Sequence, residues 1–233
     1  MNEHTVKAFD EDIGELRGLI AQMGGLAESA IEASMVALKR HDLEAAARII
    51  DGDKEIDRLE TEVERLAVRL IALRAPMADD LREVVAALKI AGVVERIGDY
   101  AKNIARRVPA IRGDGHIEPL SLLPAMAHMA TDMVRDVLDA FAARDPEAAQ
   151  RVCERDRAVD DFYNSIFRTL VTFMMENPTS ISQSAHLLFI AKNLERVGDH
   201  ATNVAEMVYY AATGDHLGDR DQGDPVPLNG DAG

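Results

Sequence analysis

The stretch "ERVGDHATNVA", Glu195–Ala205, reads as helix, yet Gly198 stands inside it between the carboxylates of Glu195 and Asp199. A glycine in a helix interior costs about 1 kcal/mol relative to alanine. The same arrangement occurs one hundred residues earlier, as "ERIGDYAKNIA", Glu95–Ala105. A helix-weakening glycine kept twice, each time with a spaced carboxylate pair, points to a duplicated unit. The preceding sequence agrees. "HDLEAAARIIDGDKEID", His41–Asp57, aligns without gaps to "RDPEAAQRVCERDRAVD", Arg144–Asp160.

Each copy reads as three helices. From Ile56 the apolar positions are Ile56, Leu59, Val63, Leu66, Leu70 and Leu73. From Ala87 they are Ala87, Ile90, Val94, Ile97, Ala101, Ile104 and Val108. Alternating steps of three and four make the stripe of a bundle helix. The expected helices lie near 5–39, 42–74, 79–110, 117–143, 145–176 and 180–213. Asp145 before Pro146 predicts a capped helix start. Ser180 with Gln183 has capping-box spacing, and Gly214 is placed to end the last helix. The expected organisation is all-α, with two tandem three-helix bundles over 1–112 and 117–214 and a linker at 113–116. Residues 215–233 are rich in Asp, Gly and Pro and are expected to be disordered.

Composition narrows the function. Of 233 residues 47% are hydrophobic but only 4% aromatic, with no Trp, so small and aliphatic side chains must fill the core. The ten Met, "FMME" at Phe173–Glu176 included, read as core filler. The formal net charge of −15 argues against a nucleic-acid partner. "ARRV" at Ala105–Val108 is too small a basic cluster to reverse that. Cys153 has no second cysteine to pair with, which suits a reducing compartment. No run approaches the roughly 18 apolar residues of a membrane span, and the polar N-terminus has no signal-peptide core. A cytoplasmic protein that binds cations or other proteins is expected.

The carboxylates supply the candidate sites. Glu95 and Asp99 lie one turn apart, with Asn103 a turn further on. Asp53 and Asp57 form the same spacing on the preceding helix. The second copy supplies Asp156 and Asp160, then Glu195, Asp199 and Asn203. All are expected off the apolar stripes, on outer faces. Where two such helices meet, four carboxylates and an amide make an oxygen-rich site for a hard cation such as Mg, Mn or Fe. Gly92, Gly98 and Gly198 would let a ligand or another helix approach. Such pairs also occur on solvated helix faces without any ligand, so spacing alone leaves both readings open. His200 reads as either a further ligand or a half-exposed surface residue. Arg96 and Arg196 read as ion-pair partners of nearby acids. No E-x-x-H, phosphate loop, nucleophile elbow or zinc spacing is present, so no enzyme activity is expected.

"FDEDIGELRGLIAQMGGLAESAI", "DKEIDRLE", "AALKIAGVVERIGDYAKNIA" and "LLFIAKNLERVGDHATNVAE" together resemble the PhoU family over about residues 5–214. The resemblance implies a six-helix protein of two similar bundles, and a negative regulator of the phosphate-starvation response and of phosphate uptake. It implies coupling between a phosphate ABC transporter, through its ATPase subunit, and a sensor histidine kinase, with peripheral membrane association through these partners. It allows a homodimer. It implies metal held by the D/E-x-x-x-D motifs, in some members as multinuclear iron or zinc clusters. Here those positions are Asp53, Asp57, Glu95, Asp99, Asp156, Asp160, Glu195 and Asp199, with Asn103, Asn203 and His200 as additional candidates. The ion itself is left open among Fe, Zn, Mn and Mg. Glu60 aligns with Tyr163 and Tyr100 with His200, so the two sites need not bind alike. The alternative is a helical adaptor, metal-binding or metal-free, outside phosphate signalling.

Overall fold

The computed structural model describes residues 3–111 and 118–217. The expected linker at 113–116, and the expected disordered tail from 218 onward, lie outside them. Among the described residues the regular structure is entirely helical. The long helices are α1 (Glu3–Arg40), α2 (Leu43–Arg74), α3 (Asp79–Ala105), α4 (Leu123–Ala143), α5 (Pro146–Glu176) and α6 (Ile181–Thr213).

The repeat is visible in its hairpins. α1 ends at His41 and α4 at Arg144, both left-handed at φ 51° and 53°. The next residue in each case is an aspartate whose backbone N–H reaches back to the ending helix, Asp42 to Ala37 O and Asp145 to Ala140 O, both at 2.9 Å. That same aspartate caps the next helix. Asp42 Oδ1 accepts from Ala45 N and Asp145 Oδ1 from Ala148 N, both at 2.8 Å. One residue thus closes a helix and opens its antiparallel neighbour.

α3 and α6 are the central helices. α3 packs on α1 and α2, α6 packs on α4 and α5, and α3 and α6 pack on each other. A helix touched on several sides must be thin, and both bury small residues: Ala87, Ala91, Ala101 and Ala105 on α3, Ala191, Ala201 and Ala205 on α6. α1 crosses α4 at Gly24, where a Cβ would lie only 2.1 Å from Leu138 Cδ1. Glu28 of α1 accepts from Arg135 of α4 at 2.8 and 3.0 Å. The buried apolar residues of both repeats form one continuous core.

Several expectations need correction. α3 stops at Ala105 and the chain continues to Ala110 as a 3-10 turn, while α4 is preceded by another over Glu118–Leu122. Ser180 makes no cap; its hydroxyl donates instead to Asn177 O at 2.7 Å within a 3-10 turn. The stripe of α2 buries Ile56 through Leu70 but not Leu73, which is 75% exposed, because the helix outruns its neighbours. Met175 is 78% exposed at the matching end of α5 and is not core filler. Gly214, at φ 82°, does end α6.

Candidate metal-binding faces

The motif glycines are explained by helix packing. A Cβ on Gly98 would lie 2.7 Å from Ile56 Cδ1 and 3.5 Å from Asp53 Oδ1. On Gly198 it would lie 3.4 Å from Val159 Cγ1 and 3.6 Å from Asp156 Oδ1. Each glycine lets the preceding helix approach until an aspartate of that helix stands beside the carboxylates of the motif. The carboxylates therefore line a seam between two helices rather than an outward face. Asp53 is buried at 7% exposure, contrary to its expected place off the apolar stripe. It lies three residues before Ile56 and so continues that stripe.

On the first face α2 brings Asp53, Asp57 and Glu60, and α3 brings Glu95 and Asp99. Burial pushes the Glu95 pKa up, and the charges of Asp99, Glu60, Asp57 and Asp53 push it further. Burial likewise raises Glu60, with Asp57 and Glu64 adding to the effect and Arg96 opposing it. One residue that sequence reasoning missed sits among these acids. The Lys102 ammonium pairs with both Asp53 Oδ2 and Asp99 Oδ1. Burial alone would lower its pKa, but its hydrogen bonds to the two aspartates and their charges outweigh that and raise it. Asn103 is half-buried and accepts from Arg106 at 3.4 Å.

On the second face carboxylate oxygens of Asp156, Asp160 and Asp199 lie within 4.8 Å of one another. Three hard oxygen donors from two helices fit an Mg, Mn or Fe ion after small side-chain adjustments. Glu195 is half-buried beside them and pairs with Lys192. Its pKa is raised, chiefly by burial; Lys192 opposes the shift, and Asp199 and Asp160 add to it. The place of Lys102 is taken here by Thr202, whose hydroxyl donates to the backbone oxygen of Asp199 at 2.6 Å. Asn203 is half-buried one turn beyond Asp199.

His200 is not in the aspartate group. Its ring meets Tyr100 edge-on at 5.2 Å across the α3–α6 contact, with Nε2 3.4 Å from the Tyr100 hydroxyl. Burial lowers its pKa, and the Arg96 charge lowers it further. Arg96 and Arg196 make no ion pair within 4 Å among the described residues. Their charges act on Tyr100 and His200 instead.

The acid field gives a signed expectation. The folded-state pKa of Glu95 lies above the ordinary 4.5, so the folded protein binds more protons than the unfolded chain in the window from 4.5 upward. Stability from this group is therefore lost as pH rises through that window. In chelator, Glu95→Gln should raise the melting temperature at neutral pH, and the gain should shrink as pH falls toward 4.5. Calorimetry across pH tests this; a lower melting temperature for the variant at neutral pH would refute it.

No described helix is long and apolar enough to cross a membrane. A family model described as the PhoU domain matches residues 20–108 and again 123–208. The chain is 58% identical over 220 residues to a protein of Zymomonas mobilis named "Phosphate-specific transport system accessory protein PhoU homolog", covering 94% of this chain and 93% of that one. A Caulobacter vibrioides protein of the same name is 46% identical over 221 residues, covering 93% and 95%. The crystal structure of PhoU from Pseudomonas aeruginosa superposes with a TM-score of 0.84 at 34% identity, covering 89% of this chain and 100% of that one. That of the phosphate transport system regulatory protein PhoU from Streptococcus pneumoniae gives 0.83 at 28%, covering 90% and 99%.

Proposed function

Because the chain belongs to the PhoU family, we propose that it is an accessory regulator of phosphate uptake that represses the phosphate-starvation response when phosphate is plentiful. The observation that carries this is the likeness, over more than nine-tenths of both chains, to proteins named as accessory to the phosphate-specific transport system. The chain acts by binding, not by catalysis. Its partners are the ATPase subunit of a phosphate ABC transporter and a phosphate-sensing histidine kinase, reached from the cytoplasm. A net charge of −15 favours basic surfaces on those partners and speeds the encounter.

Asp156, Asp160 and Asp199 hold a divalent or iron-type ion, with Glu195 and Asn203 beside them. Asp53, Asp57, Glu95 and Asp99 form the corresponding face of the first repeat. A bound ion relieves the repulsion between clustered carboxylates and stabilises the folded protein by about 2.7 kcal/mol at one hundred times its dissociation constant. Mn²⁺, Fe²⁺ or Zn²⁺ added to chelator-stripped protein should raise the melting temperature, and Asp156→Asn/Asp199→Asn should respond less. Equal responses would place the ion elsewhere.

The regulatory reading is tested with a starvation-promoter reporter in phosphate-replete cells. A deletion strain should express the reporter strongly, and the same strain carrying this chain should silence it. Failure of the chain to lower the reporter would sink the assignment.

A further inference from the structure

We infer that Lys102 is a built-in cation for the first carboxylate face, so that this face is closed to metal while its counterpart on the second repeat is open. The inference rests on reading the two faces as cation sites, and it concerns which of them can take an ion.

The two repeats provide an internal control. The backbone approach is nearly the same on both sides: the Asp53 oxygen lies 3.5 Å from a Cβ built on Gly98, and the Asp156 oxygen 3.6 Å from one built on Gly198. The aspartates at the crossing are also equivalent, Asp53 with Asp156 and Asp99 with Asp199. What differs is the residue three positions after the second aspartate, Lys102 in one copy and Thr202 in the other.

That difference decides the donor set. An ammonium carries three donors, and Lys102 directs them at carboxylates on two helices at once. These are the oxygens that a metal on this face would need from Asp53 and Asp99. A tethered amine competes at an effectively constant local concentration, so an incoming ion must break both pairs and expel the side chain. It must also keep Asp53 charge-balanced throughout, because that carboxylate is buried. Threonine offers no such competition. Its one hydroxyl proton is already donated to a backbone oxygen, so it supplies no charge to the second face. There the nearby lysine, Lys192, pairs with Glu195, which is not a member of the three-aspartate group.

The test uses the full chain, stripped with chelator and equilibrated with Mn²⁺, with bound metal measured after dialysis. In the wild-type protein, bound Mn²⁺ should be lost on Asp199→Asn and unchanged on Asp99→Asn. Lys102→Thr and Lys102→Met should each tighten binding at the first face at least tenfold, and that gain should vanish when Asp99→Asn is added. The methionine variant keeps most of the buried stem, and circular dichroism checks that both variants are folded. Wild-type binding that depends on Asp99 would overturn the inference. So would folded Lys102 variants that gain no binding. If the wild-type chain binds nothing while the Lys102 variants do, the inference stands and the reading of the second face as a metal site falls.

Discussion

Replacing Lys102 with methionine should lower the melting temperature of the metal-free protein by about 6–12 °C, from a loss of about 3 kcal/mol. The size follows from what is left behind. The Asp53 side chain is only 6% exposed and Lys102 only 18%, whereas Asp99 is 40% exposed. Without the ammonium, Asp99 can recover water but Asp53 cannot. A buried charge stripped of its partner costs far more than the intact pair contributes. Asp53→Asn in the Lys102→Met background should therefore recover most of the loss, since no uncompensated charge then remains. The two effects should not add. Thermal unfolding of the wild type, both single variants and the double variant at neutral pH in chelator closes the cycle. A Lys102→Met protein within about 2 °C of wild type would show that Asp53 finds other compensation, since surface changes have that small an effect. Failure of Asp53→Asn to rescue would place the damage in packing rather than charge.

Much of this architecture was legible in the sequence because it depends on local pattern. The steps of three and four from Ile56 and Ala87 are buried as expected up to the helix tips. The aspartates at 42 and 145 announce their hairpins because a cap acts within three residues of itself. The paired carboxylates and their glycines also marked the right surface. What the sequence concealed was tertiary. Gly98 was open to a reading as an approach for a ligand, but the occupant is Ile56, and only the crossing of α2 with α3 reveals it. Lys102 three residues after Asp99 looks like an ordinary surface pair along one helix. Its second contact, to Asp53, crosses between helices and has no local signature. The alignment of Lys102 with Thr202 was the available clue, and it gains meaning only once both are known to stand beside equivalent aspartates. His200 likewise faces Tyr100 because α3 and α6 pack together, a relation between repeats that neither repeat encodes alone.

Glu83 should be the second large effect, and it tests how the two repeats are joined. This buried carboxylate on α3 accepts from Arg17 Nε of α1 at 2.7 Å and pairs with Arg144 at the α4–α5 turn. The first contact lies within one repeat; the second crosses to the other. Glu83→Ala removes the shared acceptor and leaves Arg17, itself largely buried, without its anion. The expected loss is about 3 kcal/mol, or about 6–12 °C for a chain of this size. Arg144→Ala should cost much less, about 1 kcal/mol, because that side chain is half exposed and the Arg17 pair survives. Because α1 meets α4 and α3 meets α6 in one continuous core, the loss should shift a single unfolding transition without splitting it. Calorimetry of the three proteins distinguishes the outcomes. If Arg144→Ala matches Glu83→Ala, the energy lies in the inter-repeat tie and not in the buried carboxylate. If Glu83→Ala produces two transitions, the repeats depend on this charge cluster to unfold together, and the apolar seam between them is weaker than its burial implies.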